Sequence, residues 1–141
     1  MIKYKINDKI KTGELDPFFQ DWKSPPTLIT QRRLLKGSDL VITARKGGKL
    51  VGFLTAISDK TMIAFISLVE VLKPHQGKGI GKRLMELAIA HFKGYYQIVL
   101  ITDAEKGAFY KKLGFAEIYG MQIQDFMYGR SQKKKRSKKK C

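Results

Sequence analysis

Three glycines stand at every second position in Val71-Leu72-Lys73-Pro74-His75-Gln76-Gly77-Lys78-Gly79-Ile80-Gly81-Lys82-Arg83-Leu84. An apolar run, Met62 to Leu72, precedes them and has the character of a buried strand. Lys82 to Phe92 follows with the spacing of a helix. Glycine permits positive φ and lets a ligand reach the backbone without meeting a Cβ. A glycine loop opening a helix leaves amide N–H groups unpaired at the positive end of the helix dipole, where a phosphate is favoured. Lys78, Lys82 and Arg83 add charge at the same place. The chemistry these residues can do is to hold a phosphate or pyrophosphate, mainly by backbone.

Two common phosphate loops do not fit. A dinucleotide fingerprint needs glycine three residues after Gly79, where Lys82 stands. A nucleotide P-loop needs glycine at Gln76 and a hydroxyl at Arg83. Gln76-Gly77-Lys78-Gly79-Ile80-Gly81 does fit the pattern [QR]-x-x-G-x-[GA]. It resembles the acyl-CoA loop of the GCN5-related N-acetyltransferases (GNAT). Some thirty residues on, Ala108-Phe109-Tyr110-Lys111-Lys112-Leu113-Gly114-Phe115 is similar to that family's second signature, F-Y-x-x-L-G-F. Both signatures occur in the family's order.

The resemblance covers residues 1 to about 129 and implies a function: transfer of an acetyl group from acetyl-CoA to a primary amine, a small molecule in the first reading. It implies that the pyrophosphate sits on Gln76, Gly77, Lys78, Gly79, Ile80, Gly81, Lys82 and Arg83. The strand end Val69, Val71 and Leu72 would pair with the pantetheine arm, and one N–H there would polarise the thioester carbonyl. Tyr110 matches the tyrosine that protonates the leaving thiolate; a packed aromatic with a satisfied hydroxyl is the plainer reading, and the one that suits Phe109, which neighbours it at the cofactor. Asp103 stands where many relatives carry an asparagine contacting CoA. The loop departs from V-x-P-x-x-Q, because Pro74 is displaced by one position. Glu70, the only acid near the strand end, could deprotonate the amine or bind a cationic acceptor; a charged rim residue is the plainer alternative. No metal ligands cluster, and His75 and His91 stand apart.

The elements that must position these residues follow from patterning. Ile2 to Ile6 alternates as a half-buried strand. Asp16-Pro17 and Ser24-Pro25 each read as helix starts, the second running to about Leu35 before Gly37. This region, Phe18 to Leu35, together with Met121 to Tyr128, would line an acceptor pocket in the family. Leu40 to Arg45 and Leu50 to Ser58 are strands joined by Lys46-Gly47-Gly48-Lys49, a tight hairpin. With Met62 to Leu72 they make an antiparallel meander. Gln97 to Thr102 is a strand parallel to Met62–Leu72 across the intervening helix. Ala104 to Leu113 reads as a last helix, and Phe115 to Tyr119 with Met121 to Tyr128 as a closing hairpin. The class is α/β with a mixed, mostly antiparallel sheet. The GNAT resemblance adds a splayed parallel pair of strands and helices on both faces.

Length and composition bound the alternatives. The 141 residues suit one domain, expected over 1–129, with a basic, disordered tail at 130–141. No apolar run approaches a membrane span of about 20 residues. There is no signal-like segment, and the single cysteine, Cys141, rules out a disulfide framework; cytoplasm is the default expectation. Net charge is +16. Removing the tail's eight Lys/Arg leaves 20 basic against 12 acidic residues, so the body is itself basic and attracts a ligand with three phosphates. A tail-mediated nucleic-acid- or ribosome-binding role is a second class of function, disfavoured because no aromatic residues interleave with the charges. Acetylation of a protein N-terminus or lysine is a third. A homodimer is compatible with all three.

Overall fold

The computed structural model describes residues 1–125. The expected tail at 130–141 and the last residues of the expected hairpin lie outside them.

Five strands form one sheet in the order β1 (Ile2–Ile6), β2 (Leu40–Lys46), β3 (Lys49–Ser58), β4 (Ile63–Val71) and β5 (Gln97–Leu100). All neighbours are antiparallel except β4 and β5, which run parallel. Alternation sorts the side chains onto two faces. On one face Leu40, Ile42, Leu54, Ala56, Ala64 and Ile66 are buried with Ile80, Leu84, Met85 and Ala88 of a helix, α2 (Ile80–His91). On the other, Leu50 and Phe53 are buried with Leu15, Phe18 and Phe19, and Leu34 and Leu35 of α1 (Leu28–Gly37) pack against them. The segment leading into that cluster is fastened to β2 by Arg45, whose guanidinium bonds Asp8 at 2.9 Å and Glu14 at 2.7 Å.

Two irregularities matter for the site. Thr55 pairs with Leu68 and Ala56 with Ile66, so Ser67 of β4 has no residue opposite it: β4 is bulged there. The Ser67 and Thr55 hydroxyls lie 2.8 Å apart and secure the bulge. The β4–β5 ladder runs from Ile63↔Gln97 to Ile66↔Leu100 and stops. The parallel pair therefore parts company where the bulge begins.

Several sequence expectations are corrected. Asp16-Pro17 opens only a single 3-10 turn, Asp16–Phe18. α1 starts at Leu28, capped by Thr27, whose hydroxyl accepts the Thr30 N–H at 3.3 Å. Pro25 and Pro26 in succession disfavour the helical conformation for the residue before each, which delays the start beyond Ser24. Gly37 is the last residue of α1, not a stop beyond it. α2 begins two residues earlier than expected, at Ile80. The expected helix over 104–113 divides into a 3-10 turn, Ala104–Lys106, and α3 (Gly107–Lys112). No strand follows β5 among the described residues. Ile118, Tyr119, Met121 and Ile123 are exposed instead. Alternation alone does not make a strand; it needs an edge to pair with, and among the described residues no backbone hydrogen bond joins 115–124 to one.

Candidate active site

Beyond Ile66 the β4 edge facing β5 is free. The Leu72 N–H is bonded to the Val51 carbonyl at 2.9 Å, towards β3. Successive amides alternate in direction, so the N–H groups of Val71 and Val69 face the open side. Leu72, expected to pair with the cofactor arm, spends its own N–H on β3. Its side chain packs on the α1-side cluster.

Between the diverging ends of β4 and β5 lies a cleft of about 250 Å³. Val69 and Glu70 line one wall. Thr102, Asp103, Lys106 and Tyr110 line the other. This placement is what parallel strands with diverging carboxyl ends offer a ligand. Val69 and Tyr110 pack against the α2-side core. Glu70 pairs with Phe53 in the β3–β4 ladder, on the opposite face. The carboxylate and the phenol thus enter the cleft from the two sides of the sheet.

Burial pushes the Glu70 carboxyl above the usual carboxylate range, and the Lys106 charge opposes that rise. Burial also pushes the Tyr110 phenol up; the Glu70 charge adds to the shift, and a hydrogen bond with Thr102 works against it. Tyr110 therefore holds its proton firmly across the neutral range. Its ring meets Phe109 edge-on at 5.0 Å and Phe115 at 6.0 Å. Gly114, at φ +100, ends α3 and turns Phe115 back so that its N–H reaches the Tyr110 carbonyl at 3.1 Å.

The glycine loop follows the end of β4 and opens α2. A 3-10 turn, Lys73–His75, follows β4 and absorbs Pro74 without disturbing the loop. Gln76 returns its side-chain amide to the Val71 carbonyl at 2.9 Å. Gly79 is the N-cap of α2 at φ +84, a left-handed conformation that favours glycine, and a Cβ there would meet nothing within 4 Å. The first bond of α2 runs from the Arg83 N–H to the Gly79 carbonyl. The amides of Ile80, Gly81 and Lys82 are left without intrahelical partners, and no side chain caps them. This donor set, open and electropositive, fits a pyrophosphate. Lys78, Lys82 and Arg83 are exposed around it, and Lys46, Lys49 and Lys78 join burial in lowering the His75 pKa.

Phe109 links loop and cleft: a Cβ on Gly81 would lie 3.8 Å from its ring. Asp103 occupies the N-cap of the 3-10 turn, exposed at the cleft's mouth. Of the expected site residues, Val69, Glu70, Asp103 and Tyr110 line the cleft; Val71 and Leu72 continue β4 beyond it, the glycine loop lies outside it, and Phe109 stands between Tyr110 and Gly81. Sequence reasoning missed four participants. Lys106 and Thr102 line the cleft, and Ser67 forms the bulge. Gly52 on β3 lets Ile80 dock, since a Cβ there would lie 3.1 Å from Ile80 Cγ2 and 3.3 Å from the Glu70 carbonyl oxygen. An isolated glycine inside a strand pattern was the available signal for that close approach.

The model of the acetyltransferase (GNAT) family matches residues 7–115. Among solved structures, a presumed acetyltransferase from Deinococcus radiodurans R1 is 29% identical, with a TM-score of 0.80 over 87% of each chain. A GNAT-family acetyltransferase from Streptococcus pneumoniae TIGR4 is 26% identical, with a TM-score of 0.77 over 89% of this chain and 99% of its own. No curated protein matches the chain by sequence. No helix among the described residues is long and apolar enough to cross a membrane.

Proposed function

The chain belongs to the GNAT acetyltransferase family, an acyl-CoA-dependent class of N-acetyltransferases, and from that premise we propose that it acetylates a small primary amine by direct attack within a ternary complex. One observation carries the reading: a free strand edge and a proton-holding tyrosine line one cleft, and the strand that forms its wall runs on into a loop that leaves the first amides of α2 unpaired.

Acetyl-CoA supplies the activated acyl group. The amides from Gly77 to Lys82 hold its pyrophosphate, with the Lys78, Lys82 and Arg83 side chains beside them; the Gln76 N–H, expected among them, is engaged by the Lys73 carbonyl at 3.2 Å. The edge at Val69 and Val71 takes the pantetheine arm, Phe109 and Asp103 border it, and a β4 amide polarises the carbonyl. The acceptor must arrive as a neutral amine. Glu70 accepts its proton; the nitrogen attacks the carbonyl carbon, the C–S bond breaks, and Tyr110 gives its proton to the sulfur. The acceptor enters from the α1 side, where Glu70 points and where Trp22, Leu28 and Ile29 are exposed.

Thermal shift is the first test: acetyl-CoA raises the melting temperature, and RNA does not. A panel of primary amines, read by release of free thiol, then identifies the acceptor. Turnover on peptide N-termini alone would replace the small-amine reading with protein acetylation. A melting temperature indifferent to acetyl-CoA would overturn both.

A further inference from the structure

Lys106 is the one cation among the described residues that lines the cleft. It stands on the turn after β5, its backbone N–H bonded to the Asp103 carbonyl at 3.0 Å. Glu70 stands on β4, on the opposite wall. Among the described residues no ion pair joins them, and no hydrogen bond engages either side chain. Two opposite charges therefore face one gap with room for a substrate between them.

The surroundings of Glu70 make that charge matter. Its neighbours on the same face of β4 are Leu68 and Leu72, and beside it on β3 is Phe53. Such a setting favours the neutral acid, which cannot accept a proton. The other titratable groups on the facing wall are Tyr110, which is uncharged, and Asp103, whose sign opposes ionisation of Glu70. Among the described residues of the cleft, Lys106 is the charge that favours the anion.

We propose that Lys106 is a positioning residue for proton removal: across the cleft it keeps Glu70 in the carboxylate form that receives the proton of the acceptor amine. The inference rests on the assignment of Glu70 as base. Burial raises the Glu70 pKa and Lys106 lowers it, so removing the lysine charge leaves the carboxyl protonated to higher pH.

The test needs no acceptor. In full-length protein carrying ¹³C at the glutamate carboxyl, the Glu70 signal is the one missing from Glu70→Gln, and its midpoint is followed against pH. In Lys106→Met the midpoint moves to higher pH. In Lys106→Arg it stays with the wild type, and added salt shifts the wild type towards the methionine variant. A midpoint that Lys106→Met leaves unmoved overturns the proposal. So does an equal shift in both variants, which would mark a structural effect of the side chain rather than its charge. The base assignment is tested separately, by the pH profile of kcat/KM with an amine from the panel. If Glu70→Gln keeps its rate and its acid limb, the base assignment falls whatever the carboxyl titration shows.

Discussion

The Gln76 side-chain amide donates to the Val71 carbonyl oxygen at 2.9 Å, so the phosphate loop is tied to the strand edge along which the rest of the ligand must lie. The first residue of the signature motif acts here as a clasp. Its carbonyl partner is on the open side of β4, where it would otherwise compete for donors.

Gln76→Leu should loosen this clasp without disturbing the core, since Gln76 is exposed. A net hydrogen bond is worth about 0.5–1.5 kcal/mol. Calorimetry should therefore show acetyl-CoA affinity falling by several fold, with the melting temperature of the free protein little changed. Unaltered affinity would mean that the loop holds its shape by the glycines alone.

Tyr110→Phe retains the packed ring and deletes the proton. Turnover should fall by about 10²–10⁴-fold, the usual contribution of a general acid, while acetyl-CoA affinity stays near wild type. Single-turnover rates measure this without interference from product release. Because burial and the Glu70 charge raise the Tyr110 pKa, the wild-type rate should not decline through ionisation of this phenol until pH passes the ordinary tyrosine range.

Glu70→Gln should separate activity from stability. A carboxyl whose folded pKa lies above its unfolded value binds its proton more tightly in the folded state. The fold is therefore favoured below the unfolded pKa, and that advantage is lost as pH rises through the folded pKa. At neutral pH the glutamine variant should melt higher than wild type. The difference should vanish in acid, where Glu70 is protonated in both states. Melting curves at pH 4 and pH 7 check the sign, and a lower melting point at pH 7 would contradict it.

Gly52→Val tests the docking of α2. A Cβ already meets Ile80 at 3.1 Å and backbone oxygen at 3.3 Å, and the added methyl groups need more room. Overpacking of this kind costs typically 1–3 kcal/mol. Denaturant unfolding should register that loss, and acetyl-CoA binding should weaken further than stability alone explains, because α2 carries the loop amides.

Legibility from the sequence followed the range of the interaction. The strands β2 to β4 and the helix α2 were readable because their apolar periodicity reports burial directly. The glycine loop was readable as a helix-opening turn because the positive φ at Gly77 and Gly79 is a local backbone requirement; Tyr110 was singled out only through its likeness to the family's second signature. The start of α1 was misjudged, since two consecutive prolines outweighed an apparent cap at Ser24. The strands expected after Phe115 were misjudged because pairing depends on a partner edge that no local pattern specifies. Lys106 and Thr102 were missed for a related reason. Nothing in a turn sequence announces that it will face Glu70 from across a gap.

The bulge at Ser67 gives the groove an arithmetical origin. Below it, β4 runs in step with β5; above it, the strand has gained one residue and gone out of phase. What opens the sheet is a count rather than a side chain. Exchanging Ser67 for another small residue would leave the count intact. Deleting it would bring Ile66 and Leu68 into direct succession opposite Ala56 and Thr55, leave Leu68 to Val71 on their present β3 partners and faces, and remove the local twist that turns the strand end away from β5.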